Sequence, residues 1–189
     1  MPTLISHSVA AAALTTAFPR QVVPRRLMIT AMICSIAPDI DVIAYLFGVH
    51  HGGLMGHRGI THSILFALVV ATFAFFVVLP TLARPVSRPL LWTYLFLATA
   101  SHGLLDAFTD SSGLGIPFFW PFDNTRYFFP VTPIAMSPIG PYFFSERGFL
   151  VLLNEARWVW IPSLAFALIA ISVRYLLSAR SARSRAPIS

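Results

Sequence analysis

The sequence predicts an all-α fold: an integral-membrane helical bundle of about five transmembrane helices with a long aromatic-rich interfacial loop. Three observations lead there. The chain is 57% hydrophobic and only 11% charged over 189 residues, against roughly 25% charged in an average soluble domain; its mean hydropathy is +0.76. Apolar stretches near span length recur along it. Its arginines gather in groups between and after those stretches. So few charges cannot clothe a water-soluble globule of this size, which excludes that class. At about 20 residues per span, the length leaves room for one bundle of about four to six spans and excludes a large multi-domain machine.

Residues 4–18 form the first stretch, short and alanine-rich. Against a hydrocarbon core of about 30 Å it is marginal, so a tilted or interfacial placement stays open. The first arginine is Arg20, so this stretch lacks the basic start of a signal peptide and reads as mature protein. Residues 27–47 are long enough but carry Pro38, Asp39 and Asp41. Residues 62–79, 90–108 and 158–177 each match the length of a membrane-crossing helix. Residues 1–177 read as one membrane-embedded domain, and 178–189 as a basic, disordered tail near anionic headgroups. The lone cysteine, Cys34, allows no internal disulfide.

The charges give the bundle an orientation. Arg20, Arg25 and Arg26 lie between the first two stretches, Arg84 and Arg88 between the third and fourth, and Arg174, Arg180, Arg183 and Arg185 after the fifth. With five spans these groups share one side, and the positive-inside rule makes it cytoplasmic, C-terminus included. The acids Asp39, Asp41, Asp106, Asp110, Asp123, Glu146 and Glu155 fall in the other half, with His7, His50, His51, His57, His62 and His102. Ionisable groups inside spans are expensive and mark function.

Four runs carry the chemistry: His7, Pro38-Asp39-Ile40-Asp41, His57-Arg58-Gly59-Ile60-Thr61-His62-Ser63, and His102-Gly103-Leu104-Leu105-Asp106. His102 and Asp106 stand four apart, on one helical face, where an imidazole and a carboxylate can hold one metal ion. Gly103 leaves room for a close neighbour. Pro38 removes a backbone donor and opens the chain locally, freeing the two aspartates to reach a polar cavity. Thr61 and Ser63 suit caps or partners of the ligands. Each piece alone has a bland reading as a hydrogen-bonded packing residue, with Arg58 in a salt bridge. Together, seven candidate ligands (His7, Asp39, Asp41, His57, His62, His102 and Asp106) converge near one leaflet, and burying them without compensation would be very costly.

A divalent metal is the simplest compensation. Imidazole and carboxylate donors suit zinc first, with manganese or iron as alternatives. The surplus of ligands suits one ion or two, the latter lowering the pKa of a bound water and clamping phosphoryl or acyl oxygens. Arg58 offers a planar fork for a substrate anion. Glu155, before the last stretch, is a candidate further ligand or general base, or else a charge favoured by a helix start.

These runs, followed by Gly113 and Pro121-Phe122, resemble the YdjM/YbcI-type family of bacterial and archaeal inner-membrane metal-dependent hydrolases, over roughly residues 1–160. The His-Arg-Gly-Ile-Thr-His-Ser run is its most specific element. The resemblance implies a multi-pass inner-membrane location and a metal-dependent hydrolase. The order of ligand-bearing residues is similar, more distantly, to that of zinc-dependent phospholipases C.

Residues 110–157 separate the last two stretches and hold, among other aromatics, Phe118, Phe119, Trp120, Phe122, Tyr127, Phe128, Phe129, Tyr142, Phe143 and Phe144, punctuated by prolines. Such a segment fits the headgroup level, as a lid or lipid-gripping rim over the site or as a plain anchor. No serine-hydrolase elbow, P-loop or dinucleotide fingerprint is present. The expectation is a metal-dependent hydrolase of a phosphoester or related ester of a membrane lipid, with membrane lipids as its partners and no nucleic acid. A metal or proton transporter and a scaffold with structural metal are the alternatives.

Overall fold

Thr3 begins the first helix. Its backbone is extended and its hydroxyl accepts from the Ser6 N–H at 3.3 Å, a side-chain cap for an otherwise orphaned donor. Helix α1 (Leu4–Leu14) follows and closes in a 3-10 turn, Thr15–Ala17. Our computed structural model describes residues 1–19, 23–45, 48, 53–54, 56–82, 87–110, 114–138 and 140–184. Arg20, His50, His51, Arg84, Gly113 and Arg185 lie outside the described residues.

Helix α2 (Arg25–Ile36) stops where Pro38 forbids another α turn. The proline has no N–H to offer the Cys34 carbonyl and its ring would clash there; the Ala37 N–H bonds that carbonyl instead. The chain tightens into a 3-10 turn, Ala37–Asp41, and resumes as the short α3 (Val42–Tyr45). Helix α4 (Ile64–Val78) is capped by Ser63, whose hydroxyl accepts from the Phe66 N–H at 3.1 Å. Helix α5 (Arg88–Ala107) carries Pro89 in its first turn, where a missing donor costs nothing.

The last helical stretch is longer than the sequence pattern suggests. Helix α6 (Glu146–Glu155) continues through a π segment, Ala156–Trp160, into α7 (Ile161–Ser184). The predicted boundary at residue 158 is therefore corrected. Arg147, Asn154, Glu155 and Arg157 mask a helix whose buried face is Gly148, Val151 and Glu155. The helix also runs past residue 177, so the start of the basic tail is helical.

α5 is the central element and packs on α1, α2 and α4. Its buried face, Leu91, Tyr94, Leu95, Ala98, Thr99, His102, Gly103 and Asp106, repeats at three and four residues, as a one-sided helix must. The apolar core lies at its beginning and the polar cluster at its end. α4 meets this core through Ala67, Ala71 and Ala74 and exposes Val69, Phe73, Phe76 and Val77 on the other side. Small residues inside and large apolar ones outside suit a helix set in lipid.

The chain alternates direction. The starts of α1 and α4 and the ends of α2 and α5 meet, carrying His7, His62, Asp39 and His102 into one cluster. α1 runs parallel to the last helix: Glu155 bonds its first turn, and Arg174 donates from Nη1 to the Thr16 and Phe18 carbonyls at its end, at 2.8 and 2.6 Å. Among the described residues two helices are long and apolar enough to cross a membrane, Ile64–Thr81 and Glu146–Arg180, while Leu4–Ala17 is apolar but shorter. Among the described residues the fold is helical, with two isolated bridges and no strand; the bridges, Thr109 with Ile134 and Ile116 with Tyr127, lie in the aromatic loop.

Candidate metal centre

His102 supplies the innermost nitrogen. Its Nδ1 lies 2.7 Å from the Ser35 carbonyl, which can only accept, so Nδ1 carries the proton and Nε2 keeps a lone pair. His62 is oriented similarly. Thr61 donates to Asp41 Oδ2 at 2.6 Å, leaving its oxygen and that carboxylate to accept from His62 Nδ1, at 3.0 and 3.3 Å. With both imidazoles neutral, His62 Nε2 and His102 Nε2 are two lone-pair nitrogens facing each other 3.1 Å apart in a buried site. Without a shared proton or cation that contact is repulsive.

Two carboxylates complete the cluster. Asp39 Oδ1 lies 3.4 Å from His102 Nε2 and 3.8 Å from His62 Nε2. Asp106 Oδ2 is 3.4 Å from His62 Nε2, and Asp106 Oδ1 is 3.6 Å from His7 Nε2. A tetrahedral ion with bonds of 2.0–2.1 Å sets its ligand atoms about 3.3 Å apart, so these separations fit a metal's donor set. Among the described residues both oxygens of Asp39 and of Asp106 and both nitrogens of His7 are buried without a hydrogen-bond partner. Native proteins rarely leave such atoms unsatisfied. The His7 ring instead stacks on His102, centroids 3.8 Å apart.

The donors form two groups, His7 with His102 and Asp106, and Asp39 with His57 and His62, the atoms of each within 4.8 Å of one another. Asp41 departs from its expected place as a ligand. One oxygen accepts from His57 Nδ1 at 2.7 Å, while the other meets Thr61, His62 and the Arg58 N–H, the last at 3.2 Å. Residues two apart on a turn face different ways, so Asp39 enters the cluster while Asp41 stays behind, orienting two imidazoles as outer carboxylates do around metal sites.

Arg58 is 3% exposed and sits in the left-handed region, φ 61°, which a non-glycine residue seldom adopts. Gly59 follows because a Cβ there would lie 2.1 Å from the Leu54 carbonyl oxygen. Arg58 Nε contacts Asp106 Oδ2 at 3.1 Å, without the alignment of a hydrogen bond, and Nη1 donates to the Leu114 carbonyl at 3.1 Å. Its Nη2 is buried without a hydrogen-bond partner among the described residues. With neutral imidazoles, the three carboxylates of Asp39, Asp41 and Asp106 outweigh this one guanidinium by two charges, a deficit one divalent cation balances.

Glu155 lies outside both donor groups, and its reading as a helix-start charge is corrected. It lies at the end of α6, not at a helix start, and is fully buried. Its carboxylate accepts from the Thr3 N–H at 2.6 Å and from the Thr3 and Ser6 hydroxyls at 2.5 Å, fixing the turn that presents His7. Replacing Glu155 with alanine strands these three buried donors, each worth about 1–3 kcal/mol when unsatisfied. The expected result is a lower thermal midpoint in detergent, partly restored in Glu155→Gln.

Sequence reasoning did not anticipate this clamp, the Ser35 carbonyl, or Arg126. Arg126 Nη1 donates to the carbonyls of Arg58 and Gly115, both at 3.0 Å, and Nη2 to that of Gly53 at 3.2 Å, bracing the loop that carries Arg58. The aromatic loop folds back on the helix ends. The Phe129 N–H bonds the Ala107 carbonyl at 3.0 Å, the Phe118 carbonyl accepts from the Ile64 N–H at 2.9 Å, and Phe129 stacks on Phe108. Phe122, Phe144 and Tyr142 stay exposed.

Fold and site together define a helical membrane protein built around a buried histidine–aspartate cluster. The chain belongs to the YdjM inner membrane protein family, whose sequence model matches residues 1–180. Among its relatives, the inner membrane protein YbcI of Escherichia coli (strain K12) is 33% identical over 165 residues, 87% of this chain and 94% of that one. No solved structure matches it.

Proposed function

We propose that this protein is a five-span, metal-dependent hydrolase that cleaves a phosphoester, or a related ester, of a membrane lipid. The observation carrying the proposal is the set of buried donor atoms that have no hydrogen-bond partner among the described residues, gathered around two facing imidazole nitrogens. His62, His102, Asp39 and Asp106 would hold a first ion, and His7 and His57 are placed beside them for a second. Zinc fits this donor set best, with manganese or iron next. A divalent ion supplies Lewis acidity there, the chemistry that makes water a nucleophile near neutral pH.

The protein's own groups do the rest. Arg58, with an unused N–H pair beside Asp106, would neutralise the anionic ester. Asp41 holds two imidazoles in register, and Glu155 holds His7 by way of α1. Hydrolysis adds a water oxygen to phosphorus, breaks the bond to the alcohol and returns a proton to it. The alternating helix directions support the five-span count, because the first and fifth spans of such a bundle must run parallel. The arginine pattern supports a cluster toward the non-cytoplasmic leaflet and a cytoplasmic C-terminus.

The test is metal content and turnover of the purified full chain in detergent. We expect one or two divalent ions per chain, release of a headgroup or phosphate from lipid phosphoesters, and loss of both activity and thermal stability on chelation. Fully folded protein without metal, its charge balanced by protonated imidazoles, would overturn the proposal.

A further inference from the structure

Two apolar grooves end on the cluster. The first, about 310 Å³, lies between α4 and α5. Ala67, Phe96, Ala100 and Leu104 line its walls, Phe118 and Phe119 cover it, and His62 belongs to its lining with its imidazole buried behind the wall. Gly103 keeps it open, since a Cβ there would press at 3.1 Å on both the His62 carbonyl oxygen and the Phe118 ring. The second, about 380 Å³, lies beside the start of α1 and is lined by Leu4, Ile5, Val42, Pro138 and Phe143, with Asp39 within it. Both volumes are in the range of ligand pockets. His62 Nε2 and Asp39 Oδ1, the buried tips of one lining residue from each groove, are 3.8 Å apart.

We propose that the substrate is a two-chain lipid, with one acyl chain in each groove and its phosphoester where His62 and Asp39 meet. The substrate assignment rests on the hydrolase reading above; the occupancy of the grooves does not. The occupant follows from the surroundings. α4, which walls the first groove, is long and apolar enough to cross a membrane and turns Phe73 and Phe76 outward, so lipid tails are the medium at its face. A water-soluble ester would leave both grooves without an apolar filling, and a single-chain lipid would fill only one. Arg58 offers a cation beside the junction for a headgroup phosphate, its Nε 3.1 Å from Asp106 Oδ2, which lies 3.4 Å from His62 Nε2. Each buried methylene adds roughly fourfold to affinity, so the chains would supply most of the binding.

The test uses the full chain in phosphatidylcholine vesicles doped with a phosphatidic acid bearing a diazirine in one acyl chain. After irradiation, labelled residues are mapped by mass spectrometry. We expect labels on Phe96, Ala100 and Leu104 and on Leu4, Ile5 and Phe143, well above those on Phe73 and Phe76. Ala100→Trp should cut labelling of the first groove more than about tenfold, the worth of two methylenes, and spare the second. Equal labelling of Phe73 and Phe76 in the wild-type protein would overturn the grooves, whether or not the variant folds. A parallel assay compares two-chain, one-chain and short-chain soluble esters with the same headgroup. Equal rates overturn the two-chain substrate and leave the hydrolase standing. Groove labelling with no hydrolysis of any ester refutes the hydrolase and leaves lipid binding standing.

Discussion

Replacing His102 with alanine is expected to lower divalent-metal affinity by more than about 100-fold and to abolish ester hydrolysis. His102 Nε2 is central to the donor set, 3.1 Å from His62 Nε2 and 3.4 Å from Asp39 Oδ1, and its ring is the platform on which His7 stacks. Its loss removes one ligand and frees a second to move. Outer partners of metal ligands typically cost 10–100-fold in affinity when changed, so a ligand itself should cost more. Asp41→Asn supplies the comparison. It keeps an acceptor for His57 or His62 but loses the charge that Thr61 and the Arg58 N–H also bind, and its effect should stay within that 10–100-fold range. Metal titration of both variants checks the order, and Asp41→Asn proving as severe as His102→Ala would return Asp41 to the ligands.

How legible the centre was in the sequence depended on how local its signals are. His102 and Asp106 were readable because helical spacing fixes their common face, and both are buried in the cluster. Pro38 marked the break in α2 for a reason intrinsic to its ring. The same turn hid the division of labour between Asp39 and Asp41, because a 3-10 turn of five residues has no apolar periodicity to say which carboxylate points in. Glu155 was misplaced for a related reason: the charges of α6 obscured a helix that begins at Glu146. Its partner Thr3 lies 152 residues away, and a pairing so remote leaves no pattern in composition or spacing. Arg126, which bonds the Arg58 carbonyl from 68 residues away, was invisible on the same ground. The apolar stretches announced a membrane bundle, but among the described residues only α4 and the continuous α6–α7 helix are long and apolar enough to cross a membrane, while α1 is apolar but short.

Arg58→Ala should be the most disruptive change outside the ligands, and its effect should depend on metal. In the metal-free protein the guanidinium is the one fixed positive charge in contact with Asp106 among the described residues. Removing one member of a buried ion pair typically costs about 3–5 kcal/mol, which at about 2–4 °C per kcal/mol is a fall in thermal midpoint on the order of 10 °C. Arg58→Lys should recover part of that stability, since it keeps the charge, but not the planar fork that reaches Asp106 and the Leu114 carbonyl together. Arg58→Gly separates the backbone from the side chain, because it relieves the positive φ while losing the charge, and should melt slightly above Arg58→Ala. Bound metal supplies Asp106 with another counter-charge, so loading should narrow the gap between Arg58→Ala and the wild-type protein. Activity should not recover with stability: a donor aimed at a developing anion is typically worth about 100- to 1,000-fold in turnover, and metal cannot replace the unpartnered Nη2. If metal-loaded Arg58→Ala melts like the wild-type protein and also hydrolyses ester at its rate, Arg58 is only the counter-ion of Asp106 and takes no part in holding the substrate.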